Sequence, residues 1–330
     1  MRIVALEEHF VVPELLDAWR HLPREDRDDV SAGLGDDVIS QRLRDVGEQR
    51  IADMDDQGVD VQVLSLNSPG VQSLAPADAV SVARQSNDAL SEIVASNRER
   101  FQAFAAVPTP DPAAAAAEFE RAITTLGFRG ALLNGRTGTV NADDIRFDDL
   151  YGAAARLRAP LYLHPQTPVR AVRAAYYSGL GEQVDGAFAN YGIGWHYETG
   201  IQLLRMVFAG VFDRHPDLQV IIGHWGEAVL FYLERVQMLE HMGLQLERPL
   251  VDYFRQNVWI TGSGLTSPRY LRWTAEVIGV DRILYATDYP FVQTGDGRAR
   301  AFLESAALTQ AEKTSIASGG WDRLTAHLAR

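Results

Sequence analysis

'IVALEEHF' (Ile3–Phe10) is the stretch on which the fold turns: four apolar residues, then two glutamates, a histidine and a phenylalanine. An apolar run this short suits a strand covered on both faces, as in a parallel sheet. The polar residues then stand at the carboxyl end of that strand. Seven similar runs follow along the chain: 'VQVLSL' (Val61–Leu66), 'FQAFAAV' (Phe101–Val107), 'GALLN' (Gly130–Asn134), 'PLYL' (Pro160–Leu163), 'LQVIIG' (Leu218–Gly223), 'VWITG' (Val258–Gly262) and 'RILYA' (Arg282–Ala286).

The segments between the runs carry helix punctuation. Asp111-Pro112 and Ser267-Pro268 place a capping side chain before a proline suited to the first helical turn. Gly58, Gly127 and Gly279 stand where a helix would close before the next run. The alanines from Ala113 to Ala117 are good helix formers, and no Ser/Pro/Gly-rich linker divides the chain. Eight βα units in 330 residues predict an α/β fold, one (β/α)8 barrel domain over residues 1–330, of the kind known as a TIM barrel. A doubly wound open sheet is the runner-up. It is disfavoured because no strand leads into a Gly-x-Gly-x-x-Gly turn. Val169–Trp195, after the fifth run, reads as a long irregular insertion covering the site.

Composition narrows the chemistry. There is no cysteine, which removes disulfides, thiolate nucleophiles, Cys-ligated zinc and iron–sulfur clusters. With 31 basic and 44 acidic residues the formal charge is −13, and the basic residues are scattered beside acids, as in 'PREDRDD'. A nucleic-acid partner, which needs a basic stripe, is not expected. Nor is a membrane partner, since no apolar run approaches the roughly 20 residues of a span. 'MRIVALEEHF' lacks the apolar core of a signal peptide, so a cytoplasmic location is expected.

Polar residues gather at the ends of the runs. Glu7 and His9, two apart, share a face of an extended chain. His164 follows the fifth run, His224 the sixth and Asp288 the eighth. The carboxyl ends of barrel strands converge on one mouth, where catalytic sites of this fold lie. Glu7, His9, His164 and Asp288 therefore form a candidate set for Zn²⁺ or Mn²⁺. His224 and Glu227, in 'HWGE', form a pair in which the carboxylate could orient the ring. By spacing alone Arg235 reads as a surface residue. His21, His215, His241 and His327 lie in charged or helical contexts and read as surface residues, while His196 suits either pocket lining or a helix cap. Phe10, Trp225, Tyr289 and Phe291 flank the ligand set and offer faces for a planar substrate, although core packing is the commoner role.

'ALEEHF', 'RIADMDDQGVDVQVLSLNSPGVQ', 'LYLHP', 'FDRHPDLQVIIGHWGE' and 'RILYATDYPF' together resemble the amidohydrolase-related, metal-dependent nonoxidative decarboxylases. These act on γ-resorcylate, 2,3-dihydroxybenzoate, 5-carboxyvanillate and aminocarboxymuconate semialdehyde. The resemblance implies an amidohydrolase-type barrel holding one divalent metal ion, zinc or manganese, on Glu7, His9, His164 and Asp288. It implies an acid/base pair in His224 and Glu227, and it turns Arg235 toward the substrate carboxylate. Two stretches depart from the family: Gly320-Trp321 stands where an Asn-Ala pair is common, and the segment after His164 matches no one member. Both are expected near the determinants of substrate choice.

The expected reaction is decarboxylation of a small hydroxylated aromatic acid by a carbon–carbon lyase. Direct loss of CO₂ would leave an aryl carbanion in the ring plane, so protonation of the ring carbon comes first. Asp288 or His224 would deliver the proton, and no organic electron sink is needed. The expected partners are the aromatic carboxylate and further copies of the chain in a dimer or tetramer. A metal-dependent hydrolase or hydratase, such as a lactonase, and a noncatalytic binding barrel remain as alternatives.

Overall fold

The eight apolar runs become the staves of a barrel. The structure, a computed structural model, describes residues 1–23, 34–292 and 295–328, so most of the 'PREDRDD' stretch lies outside the described residues. The strands are β1 (Val4–Phe10), β2 (Val61–Leu66), β3 (Phe101–Ala103), β4 (Ala105–Ala106), β5 (Ala131–Asn134), β6 (Leu161–His164), β7 (Val220–Ile222), β8 (Val258–Thr261) and β9 (Ile283–Leu284). All neighbours pair in parallel, in the order β1-β2-β3 and then β4 through β9. The third run is one stave in two pieces. Phe104 bonds back to Leu64, whereas Ala105 bonds forward to Gly130. The ring closes where Leu6 N donates to Tyr285 O at 3.0 Å and His9 N donates to Tyr289 O at 2.8 Å.

The barrel interior is packed by side chains that alternate along each strand. Val4, Leu6, Val61, Val63, Leu132 and Tyr162 belong to one buried cluster, and Leu161, Leu163 and Leu133 to the layer beneath the helices. Trp321 and Leu324 join the interior cluster, and Trp321 Nε1 donates to Gln102 Oε1 at 2.7 Å. The Gly320-Trp321 departure therefore plugs the end of the barrel where strands begin, away from any substrate. Gly320 lets the plug sit close to the strands: a Cβ there would stand 2.8 Å from Leu284 Cδ2, which would have to shift.

Local punctuation falls largely as expected. Asp111 caps Ala114 N and Ser267 caps Tyr270 N. Gly58 closes its helix in the left-handed region at φ 77°, ψ 29°. Gly279 ends the helix Pro268–Ile278 too, but at φ 92°, ψ 145°, outside the left-handed helical basin. Residues 169–195 are more helical than expected: short helices and the π-turns Arg173–Tyr177 and Phe188–Gly192 alternate with non-helical residues at 178–181 and a kink at Asn190. π-turns concentrate at functional sites, and this one sets residues 191–195 against the barrel mouth.

Candidate active site

β1 carries the first two candidate ligands, and a bulge decides where they point. With Val4 and Leu6 inside, strict alternation would send Glu8 inward. The register with β2 slips between Ala5 and Glu8, so one extra residue of β1 is accommodated. Glu7 and His9 then face the barrel mouth. Glu8 turns to the other face, where its carboxylate accepts from Thr287 N (2.8 Å), Thr287 Oγ1 (2.6 Å) and Gln62 Nε2 (2.9 Å). Bulges re-aim side chains in this way. Burial pushes the Glu8 carboxyl up to about 8, against the bonds from Thr287.

The other strands continue their inward alternation to the same point. Tyr162 leads to His164 on β6, and Leu284 leads by steps of two to Asp288. His164 Nε2 lies 3.2 Å from Glu7 Oε1, and His9 Nε2 lies 3.4 Å from Asp288 Oδ1. The two imidazoles meet edge-on, with centroids 4.7 Å apart. Tyr162 and Ser263 hydroxyls donate to Glu7 Oε2, and Tyr162 also reaches Thr261 Oγ1 at 2.7 Å. Burial disfavours the Glu7 carboxylate, yet His224, His164 and His9 around it hold its pKa well below the usual range. Burial pushes the His9 imidazole down despite Asp288. Gly223 leaves room for this floor: a Cβ there would stand 2.6 Å from Ser263 Oγ and 3.0 Å from Glu7 Oε2.

A divalent metal fits these residues. Glu7 Oε1 and His9 Nε2 are buried without a hydrogen-bond partner among the described residues, since the contacts above lack hydrogen-bond direction. One donor atom each from Glu7, His9 and His164 lies within 4.8 Å of the others. His164 Nδ1 faces Pro165 O at 2.8 Å and Asn134 Oδ1 at 3.1 Å, which puts its proton there and leaves Nε2 free to ligate. Buried polar atoms rarely go unpaired, and a nitrogen-and-oxygen set suits zinc or manganese.

Beside this cluster lies the turn His224–Glu227 after β7. Glu227 is buried and bridges two imidazoles: Oε1 to His224 Nδ1 at 2.7 Å and Oε2 to His196 Nδ1 at 2.6 Å. His224 Nε2 lies 3.8 Å from Asp288 Oδ2. Burial works against the His224 imidazolium, but Glu227, Glu7 and Asp288 raise its pKa well above the ordinary value. Burial likewise opposes the Glu227 carboxylate, but its two histidines hold its pKa below the ordinary range. The backbone is strained to achieve this aim. His224, Trp225, Glu227, Ala228, Ser263 and Asp288 all have positive φ, at a cost of about 1–3 kcal/mol for each such residue.

The structure brings Glu7, His9, His164, Asp288, His224 and Glu227 together, and Phe291 lines the cavity above them. It does not bring the remaining candidates. Phe10 is wholly buried in the core, because alternation past the bulge turns it away with Glu8. Tyr289 is also buried: its hydroxyl donates to Asp53 Oδ2 at 2.8 Å, and Arg50 covers its ring. Arg235 is exposed, on the outer side of the helix Val229–Val236, and contacts Met238 rather than the cavity of its own chain. Trp225 lines the cavity.

His196 is resolved in favour of the cavity, through its bond to Glu227. Asn67, Ser68 and Ser263 line the cavity as well and were not singled out by sequence. Their signal was available, since 'NSPG' follows the second run and 'GSG' the seventh. His21, His241 and His327 are exposed as expected, whereas His215 is partly buried 3.0 Å from Asp148.

Comparison with known proteins shows the family of the chain. The amidohydrolase family model matches residues 16–319. A γ-resorcylate decarboxylase of Rhodococcus jostii is 32% identical over 95% of each chain. The 5-carboxyvanillate decarboxylase of Sphingomonas paucimobilis superposes with a TM-score of 0.91, at 31% identity over 99% of each chain. A dihydroxybenzoic acid decarboxylase from Polaromonas, solved with manganese and 2-nitroresorcinol, gives 0.85 at 32% identity, over 98% of this chain and 97% of that one.

Proposed function

The chain belongs to the amidohydrolase family, and from that premise we propose that it is a metal-dependent, nonoxidative decarboxylase of small hydroxylated aromatic acids. The observation that carries the reading is the juxtaposition of two groups at one barrel mouth. One is the Glu7, His9, His164 and Asp288 cluster; the other is the acid/base pair His224–Glu227, set against Asp288. The relatives' activity and the manganese of the Polaromonas structure support it.

Glu7, His9, His164 and Asp288 would hold the ion, which when bound supplies an electrophilic anchor for the carboxylate and ortho hydroxyl of the substrate. The protein's own groups handle the proton. Glu227 keeps His224 protonated, and His224 Nε2 presents that proton beside Asp288 Oδ2. Asp288 passes it to the ring carbon bearing the carboxylate. The C–H bond forms with electrons from the ring, made available by the ortho oxygen. The C–C bond then breaks, its electron pair restores aromaticity, and CO₂ leaves. Phe291 and Trp225 offer apolar surface to the ring.

No helix among the described residues is long and apolar enough to cross a membrane. A cytoplasmic enzyme assembled as a homo-oligomer, dimer or tetramer, completes this reading. Its support is an exposed apolar strip at Phe231, Tyr232, Met238, Leu239 and Met242. Arg235 sits within this strip, outside the cavity of its own chain.

The test is CO₂ release from ortho-hydroxybenzoates by the metal-loaded protein, together with Asp288→Asn. Release by the wild type and loss of at least a thousandfold in the variant are expected. Undiminished turnover in the folded variant would remove Asp288 from the mechanism.

A further inference from the structure

The cavity above the metal cluster is larger than a single hydroxybenzoate ring requires. Its volume is about 810 Å³, toward the upper end of the range that encloses drug-sized ligands. Its two ends differ in chemistry. At the inner end stand His164, His224, His196 and Asp288. The outer end is built from Leu230 and Phe231 on the helix after β7, Leu265 in the loop after β8, and Tyr270 and Trp273 on the helix that follows it. Phe231 and Trp273 pack against each other with centroids 4.8 Å apart, which fixes that wall. Among the described residues no lysine or arginine lines the cavity anywhere, so its outer end has no partner for an anionic substituent.

From this continuity we infer that the preferred substrate is an ortho-hydroxylated aromatic acid carrying an uncharged apolar extension, an alkyl chain or a second ring. The inference rests on the decarboxylase reading and deepens it. The reacting carboxylate and its ortho hydroxyl must enter the inner end, where the acid/base groups lie. The ring position opposite the carboxylate then leads outward, toward Leu265, Tyr270 and Trp273. A methylene moved from water onto that wall should raise kcat/KM about fourfold, the factor that corresponds to roughly 0.8 kcal/mol per buried CH₂. A carboxylate carried to the same place would lose its hydration and find no cation.

The experiment compares metal-loaded protein on 2,6-dihydroxybenzoate and its 4-methyl, 4-propyl and 4-pentyl derivatives, with a 4-(2-carboxyethyl) derivative as the charged control. The expected result is a rise in kcat/KM of about fourfold per methylene as far as propyl, and no gain for the charged control. Leu265→Trp, at a half-exposed position away from the acid/base groups, fills the outer end. It should abolish the rise, read as the ratio of kcat/KM for the 4-propyl acid to that for the parent acid within the same variant. Trp273→Ala, which removes the wall instead, should flatten the series too. A flat or falling series with CO₂ released from the parent acid overturns the extension alone, as does a rise that survives in both variants. No CO₂ from any member overturns the decarboxylase reading and the extension with it.

Discussion

Glu227→Gln probes the acid/base pair at its most constrained point. The wild-type carboxylate is buried and makes two short bonds, 2.7 Å to His224 Nδ1 and 2.6 Å to His196 Nδ1. Both imidazoles donate, and a glutamine offers one acceptor and one donor in the same volume. One ring must therefore give up its Nδ1 proton or its bond, and the negative charge supporting the His224 imidazolium is gone. Hydrogen bonds to charged groups contribute about 1.5–3 kcal/mol. A loss of about 2 kcal/mol at His224 lowers kcat roughly thirtyfold at neutral pH. The sign of the pH effect follows from the raised pKa of His224, whose main support is Glu227. Its imidazolium persists to higher pH than an ordinary histidine, and removing the carboxylate brings that loss to lower pH. The alkaline limb of kcat should move down in the variant, with the deficit smallest in acid and growing as pH rises. Initial-rate CO₂ release across pH, with thermal melting to verify folding, measures both effects. His196→Gln keeps an N–H that can donate to Glu227 and should stay within about threefold of wild type. A Glu227→Gln enzyme with kcat within threefold and an unmoved alkaline limb would refute the role given to the bridge.

Two further perturbations separate ligand from scaffold. His164→Ala removes an imidazole whose Nε2 faces Glu7, so bound metal measured by elemental analysis should fall well below one per chain, and chelation of the wild type should lower its Tm because the ion binds only the folded state. Phe10→Ala should cost about 3–5 kcal/mol of stability by denaturant titration and leave KM unchanged if the protein folds, because Phe10 sits in the core; Phe291→Ala should do the reverse, raising KM with little change in stability, and a KM effect from a Phe10→Leu variant would contradict the placement.

The legible part of this protein lay in local pattern. Runs of buried apolar residues between capped amphipathic segments specify parallel strands and helices through short-range physics. The polar residues ending those runs needed only the barrel to become neighbours. Where the sequence misled, the cause was direction. Phe10, Tyr289 and Arg235 are close in sequence to the site, yet proximity along the chain does not say which way a side chain leaves the backbone. Tyr289 was claimed by Asp53 and Arg50, partners more than two hundred residues away. His196 showed the converse: its role depended on a carboxylate in the turn after β7, thirty-one residues along the chain. Trp321, read as a possible determinant of substrate, proved to close the opposite end of the barrel.

The sequence by itself determined the strand-and-helix order, the absence of sulfur chemistry and the identity of the residues at the strand ends. These follow from composition and from periodicities that any neighbouring residues obey. The sequence paired Glu7 with His9 on one face, and only the tertiary structure decided that this face, and not that of Glu8, meets the site. Both are glutamates at the end of one strand, and simple alternation from Val4 and Leu6 would have chosen Glu8. The slip in register between β1 and β2 reverses that choice, because Thr287 and Gln62 take Glu8 on one side while Tyr162 and Ser263 take Glu7 on the other. A bulge is a property of two paired strands, and one strand's sequence does not contain it.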